Sequence, residues 1–122
     1  MKELNELECM ISRKVLILGI PINTCGYKYI CQATIMAMEN WDVIYAITKE
    51  VYPQIAKLNG VSPESVEKAM RLAIHAACKK NSDSLRAVLM GHTIPKDDHR
   101  LTNSEFIGLL AWKIGIERSG KF

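Results

Sequence analysis

Residues 62–80 carry a row of side chains that could bind a charged partner. The stretch is SPESVEKAMRLAIHAACKK, and its polar groups recur every three or four residues. With successive residues about 100° apart on a helix, these groups fall within roughly 80° of one another. Ammonium, guanidinium and imidazole groups in one row can attract an anionic partner and donate hydrogen bonds to it, and a carboxylate among them can accept from a donor group on that partner. The row consists of Glu64, Lys68, Arg71, His75 and Lys79.

The opposite face of the same predicted helix is apolar. Taken alone, a helix with one apolar and one charged side is typical of a surface helix whose charges are simply solvated. The residues that precede it favour a binding role more strongly. The apolar face consists of Val66, Ala69, Met70, Ala73 and Ala77.

Residues 55–69 predict two helices joined by a tight turn, which is a helix-turn-helix. Ala56 is small enough for two helices to cross closely, and Gly60 stands where the turn needs a positive φ. Val66 can fill the gap between the helices, and Ala69 allows their close approach. In such a motif the second helix presents its outer face to the major groove of DNA.

Composition predicts a single globular domain over residues 1–122, with 1–13 as an N-terminal extension or the start of the first helix. The chain has 122 residues, of which 48% are hydrophobic and 24% charged. This length and apolar content are enough to form one hydrophobic core. No apolar run approaches the ~20 residues of a membrane span, and the acidic, amphipathic N-terminus is not a secretory signal. We therefore expect a cytoplasmic protein without membrane contact. Residues 49–80 hold six basic and three acidic residues, a balance that equals the net charge of +3 for the whole chain.

Neither a catalytic nor a metal-binding pattern is present in the sequence. The four cysteines, at positions 9, 25, 31 and 78, lack CxxC spacing, and the histidines are not paired at metal-ligand intervals. No nucleophile motif and no phosphate-binding glycine loop occurs. We expect no enzyme activity, no catalytic residue, no metal and no cofactor.

Apolar residues recur at helical spacing throughout, which predicts an all-α, compact bundle of about six helices. The first helix includes Leu4 to Leu18 and ends at Gly19 and Pro21; a short strand at residues 14–22 is a less favoured alternative. Ser82 is a candidate cap for a separate helix, and residues 91–100 are an irregular connection. The remaining helices are predicted at about 27–40, 43–51 with Asp42 as cap, 53–59, 62–80, 82–90 and 102–118.

Several motifs, in this order, resemble the C-terminal effector domain of the sporulation response regulator, the stage zero sporulation protein A family. The resemblance implies a six-helix fold whose fourth and fifth helices form the helix-turn-helix. It also implies sequence-specific binding to a short promoter box and regulation of transcription. It extends over residues 12–118 and rests on GIP (19–21), GYKY (26–29), AITKEVYPQIAK (46–57), VEKAMRLAI (66–74), GHT (91–93) and TNSEFIG (102–108).

The resemblance also implies roles for individual side chains. Glu67, Lys68 and Arg71 stand where the family contacts bases: the carboxylate could accept from cytosine, and the two cations could donate to guanine. Ser65 and Lys68 replace the family's usual arginines, and lysine lacks the bidentate fork, so the target box is expected to differ. His75 is a further base-contacting candidate. The phosphate-binding candidates are Lys49, Lys57, Lys79, Lys80, Lys96 and Arg100, with solvated loop charges as the alternative for the last two.

Too few residues precede the resemblance for the receiver domain that a family regulator carries. We expect an excised effector domain or a free-standing protein active without phosphorylation, and the start at Met1 favours the second. The leading hypothesis is a transcriptional regulator that binds double-stranded DNA and can self-associate on it. The alternative is an interaction module of the same fold that modulates a sigma factor of RNA polymerase or a full-length regulator. That role would not need the row of Lys68, Arg71 and His75.

Overall fold

Helices form the described architecture, which confirms the all-α prediction. The structure, a computed structural model, describes residues 4–90 and 101–120, and for residues 81–90 it describes the backbone alone. None of the described helices has the length and apolar character that a membrane span needs. The α-helices are α1 (Glu6–Ile17), α2 (Cys25–Glu39), α3 (Tyr52–Asn59), α4 (Pro63–Met90) and α5 (Asn103–Ser119). A 3₁₀ helix (Trp41–Ala46) and a π-helix (Ile47–Val51) lie between α2 and α3.

The segments 43–51 and 82–90 are helical, but neither is a separate α-helix, so the described residues contain five α-helices and the expected count of about six is not confirmed. Residues 82–90 continue α4, because no glycine or proline near Ser82 interrupts its backbone hydrogen bonds. Residues 41–51 form the 3₁₀ and π turns, and their many β-branched side chains disfavour a regular α-helix. Asn40, not Asp42, caps this segment: its side chain accepts from the Asp42 N–H at 3.2 Å.

Polar caps fix the start of α1, α2 and α5. Asn5 caps α1 and Thr102 caps α5, each in a capping box with the glutamate at the third helical position. These reciprocal bonds satisfy donors that a helix start otherwise leaves unpaired. Thr24 caps α2 by accepting from the Tyr27 N–H, so α2 begins earlier than predicted. Gly19, at φ 95°, follows the end of α1 as expected.

The helix α2 lies at the centre of the fold and contacts α1, α4, α5 and the 3₁₀ helix. The Trp41 and Trp112 rings join the 3₁₀ helix to α5 in an edge-to-face pair with centroids 5.9 Å apart. Apolar side chains from every α-helix fill the space around α2, as helical periodicity predicts. The core includes Ile11, Val15, Tyr29, Ile30, Ala33, Ile55, Val66, Met70, Ile74, Phe106, Leu110 and Ile114.

Gly26 is the point where α2 crosses α4 most closely. A Cβ atom at this position would lie 2.6 Å from the carbonyl oxygen of Ala69 and 2.6 Å from the Cβ of Ala73. Non-bonded carbon atoms pack at roughly 3.5–4.0 Å, so only glycine allows this separation. Ala69 was expected to allow close approach between the two helices of the helix-turn-helix. The close contact of Ala69 is instead with α2, at Gly26.

We expect Gly26→Ala to lower the free energy of unfolding by about 1–3 kcal/mol, because the added methyl overpacks the α2–α4 crossing. Urea denaturation followed by circular dichroism measures the loss. Gly115→Ala is the matched control, since a Cβ at position 115 meets nothing within 4 Å. That variant should be neutral or up to ~1 kcal/mol more stable, because alanine favours a helix interior. Equal unfolding curves for the two variants would contradict the crossing.

Candidate nucleic-acid interface

A short turn joins α3 to α4 and sets the direction in which α4 leaves it. Gly60 adopts the left-handed conformation at φ 66°, as predicted, and its N–H donates to the carbonyl of Ala56. Ser62 Oγ accepts from the Ser65 N–H at 3.1 Å, which caps the start of α4. Ala56 and Val66 are buried on the two sides of the turn. The turn therefore holds the first residues of α4 in one position relative to α3.

The outward side of α4 carries most of the candidate base-contacting side chains. Ser65, Lys68 and Arg71 are exposed, whereas Glu67 and His75 are half-buried. Two sides of opposite character thus run along α4, as its sequence period predicted. The buried side consists of Val66, Met70, Ala73, Ile74 and Ala77.

Two of the candidates bind each other. Arg71 Nε donates to Glu67 Oε2 at 2.9 Å, across one helical turn. An exposed pair at this spacing contributes only ~0.3–0.5 kcal/mol, so a new partner can displace it at little cost. In the protein alone, the Glu67 side chain is thus bound to Arg71. The sequence prediction did not include this ion pair.

Asn103 connects the start of α5 to both α3 and α4. Its Nδ2 donates to the Tyr52 hydroxyl at 2.9 Å and to the backbone carbonyl of Glu67 at 3.2 Å. Asn103 is buried, and its bond to Tyr52 lies where water competes little, whereas the bond to the Glu67 carbonyl is partly buried. Sequence reasoning included Asn103 only as part of the TNSEFIG motif and missed its contacts, because the partners are 51 and 36 positions away and no local pattern marks the pairing.

The start of α5 and one flank of α4 enclose an open cleft of about 480 Å³. Three base-contacting candidates, Glu67, Arg71 and His75, line this cleft. Ser65 and Lys68 lie on the part of α4 that faces away from it. The structure thus divides the base-contacting candidates into a cleft flank, with Glu67, Arg71 and His75, and an outward ridge, with Ser65 and Lys68. The other lining residues are Ile47, Tyr52, Leu101, Thr102, Asn103 and Ser104.

Four of the six phosphate-binding candidates lie on three neighbouring elements. Lys49 is on the π-helix, Lys57 is on α3, and Lys79 and Lys80 are on α4; all of them are exposed. Exposed ammonium groups on adjoining elements can approach an anionic backbone from several directions. Lys96 and Arg100 lie outside the described residues.

The Tyr52 hydroxyl accepts the buried hydrogen bond from Asn103 and is itself buried. Burial raises its pKa above the ordinary value, and the hydrogen bond from Asn103 offsets part of the rise. The carboxylate of Glu67 also raises this pKa, and Arg71 lowers it. Near neutral pH the hydroxyl is therefore uncharged and can connect α3 to α5.

We expect Tyr52→Phe to lower the free energy of unfolding by ~0.5–1.5 kcal/mol at about pH 7, because Asn103 loses an acceptor. The wild type should lose stability above about pH 10, since the unfolded tyrosine ionises before the folded one, whose pKa is raised. Phenylalanine has no such ionisation, so the difference between the two proteins should shrink at about pH 11. Urea unfolding at both pH values measures it. A difference that is independent of pH would contradict the burial of this hydroxyl.

An all-α domain whose exposed helix carries basic and hydrogen-bonding side chains fits the class of DNA-binding domains. The family model described as Sporulation initiation factor Spo0A C terminal matches residues 11–114, which include all of α2, α3 and α4. The chain therefore belongs to the Spo0A C-terminal family. This is a family of DNA-binding effector domains of a sporulation response regulator, which act in transcription regulation, and it is not a family of enzymes.

Proposed function

We propose that this protein is a sequence-specific DNA-binding regulator of transcription in which α3 and α4 act as a helix-turn-helix. The observation that carries the proposal is the outward polar side of α4, which directly follows the left-handed Gly60 turn. In a helix-turn-helix the second helix enters the major groove with its first turns against the base edges. Such an activity places the protein in the cytoplasm with its DNA.

Arg71 is the strongest candidate for reading a base. Its ion pair with Glu67 engages Nε, and the two terminal nitrogens of the guanidinium can bond O6 and N7 of one guanine. The Glu67 carboxylate then has two roles, since one oxygen orients Arg71 and the other can accept from a cytosine amino group. Lys68 points away from the core and can donate to a neighbouring guanine as a single point charge.

Ser65 and His75 have smaller parts in this proposal. The Ser65 hydroxyl lies 2.9 Å from Ser62 Oγ and can serve as either donor or acceptor toward a base. His75 is half-buried in the wall of the cleft, so it can reach a base edge only at the cleft rim. Contact with a sigma factor and self-association on DNA stay predictions.

The row of Lys68, Arg71 and His75 favours DNA over the alternative of an interaction module, which would not need it. We propose that Lys49, Lys57, Lys79 and Lys80 contact phosphates, and that Lys96 and Arg100 can add to them. Each contact releases counterions, so log affinity should fall against log salt with a slope of about −0.9 per contact, or roughly −3 to −5 in total.

Selection of bound duplexes from a random DNA pool tests the proposal directly. We expect enrichment of one short box, with the guanine positions most constrained, because Arg71 and Lys68 donate to guanine edges. Affinity for the enriched duplex is then measured over a range of salt concentrations. Absence of enrichment at low salt, or a flat salt response, would contradict DNA binding.

We expect Arg71→Ala to cost ~1–3 kcal/mol on the enriched duplex and to relax discrimination at one base pair. The fold should survive, because Arg71 is exposed and its ion pair is weak. Lys79→Ala is the contrast: as a phosphate contact it should weaken all duplexes alike and reduce the salt slope by about one. Equilibrium titrations with specific and random duplexes measure both effects.

Two results would change this assignment. If Arg71→Ala weakened specific and random duplexes equally, Arg71 would contact the phosphate backbone and the orientation of α4 in the groove would differ. If it weakened neither, the polar side of α4 would be a solvated surface.

A further inference from the structure

Leu72 is a large apolar side chain on the outward side of α4, and 51% of it is exposed. A single exposed leucine is ordinary on a protein surface, so its exposure alone assigns no role. Its place on the helix is informative, because it follows Lys68 by one turn and lies about 40° from it around the axis. Leu72 therefore lies among the polar side chains of the outward ridge, Ser65 and Lys68, and Lys79 is exposed on the same side of α4.

We propose that Leu72 contacts the 5-methyl group of a thymine and so adds a base preference that the polar side chains do not supply. In the major groove the thymine methyl is the apolar feature of the base edges, while the other exposed groups are donors and acceptors. An isobutyl side chain cannot bond to those groups, and burying it against one would leave that group unpaired. The proposal rests on the proposed function, since it needs α4 in the major groove.

The helical geometry restricts where this thymine can lie. Leu72 is about 6 Å further along the axis than Lys68, and successive bases on one strand are about 3.4 Å apart. The thymine should therefore occur within about two base-pair steps of the guanine that Lys68 contacts. Arg71 lies about 60° from Lys68 in the opposite rotational direction, so the contacts of Leu72 and Arg71 fall on the two sides of the Lys68 contact.

Deoxyuridine provides the test, because it differs from thymidine only by the missing methyl. In the enriched duplex, each thymine is replaced singly by deoxyuridine, and binding of the wild type is measured. We expect one thymine, or two adjacent ones, to weaken binding about three- to tenfold, since one buried methyl is worth about fourfold in Kd. The other thymines should show no comparable loss.

The variant Leu72→Ala links that loss to this side chain. It should bind the thymine duplex about three- to tenfold more weakly and should no longer respond to deoxyuridine at the sensitive position. Leu16→Ala is the matched control, because Leu16 is 43% exposed and lies on α1. The control should keep the wild-type affinity and the wild-type response to deoxyuridine. Thermal unfolding of both variants confirms that the fold is intact.

The outcomes separate this assignment from the proposed function. If an enriched box exists but no thymine responds to deoxyuridine, or Leu72→Ala responds as the wild type does, the assignment is overturned and the regulator function stands. If Leu72→Ala binds the duplex as tightly as the wild type, Leu72 faces something other than DNA and the assignment is again overturned. If the random pool yields no enriched duplex, the proposed function fails and the thymine contact fails with it.

Discussion

The close crossing of α2 and α4 at Gly26 is the contact on which the rest of the structure depends. The helix α2 also packs against α1 and α5, so the position of α4 on α2 determines which side of α4 remains outside. Small residues at the crossing, Ala69 and Ala73, bring the two backbones together. The outward side chains are thus oriented by packing behind them, and their own charges have little influence on where they point. A rigid support of this kind suits side chains that must meet base edges at fixed positions.

The start of α5 adds a second constraint on the same surface. Asn103 bonds the backbone of Glu67, and the side chain of Glu67 bonds Arg71. A chain of hydrogen bonds therefore runs from a buried amide to an exposed guanidinium. The Asn103 bond thus fixes the backbone of α4 at Glu67, while the weak Glu67–Arg71 pair leaves the guanidinium available to a new partner.

Local signals explain which parts of the fold were predictable from the sequence. The Gly60 turn, the caps of α4 and α5 and the two sides of α4 each depend on residues close together in the chain. The Gly26 crossing and the Asn103 bonds depend on residues far apart, so no local pattern indicates them. Ser82 is a residue type that favours a helix start, but the backbone hydrogen bonds of α4 continue through this position.

The candidate site likewise has features that depend on local sequence and features that depend on distant residues. The chemistry of its side chains could be predicted from residue type and spacing, and the family from the order of the motifs. The division into a cleft flank and an outward ridge could not, because it depends on where α5 begins in space. Leu72 could not be predicted as a contact from residue type, because it is apolar, although its exposure on α4 places it beside the polar candidates.

The pairing of Trp41 with Trp112 determines what an optical measurement on this protein would detect. These are the only two tryptophans in the chain, and the Trp41 Nε1 also donates to the Tyr45 hydroxyl at 3.2 Å. All indole emission therefore originates at one place, the junction of the 3₁₀ helix and α5. Intrinsic tryptophan fluorescence is therefore a local reporter of how α5 packs on the 3₁₀ helix.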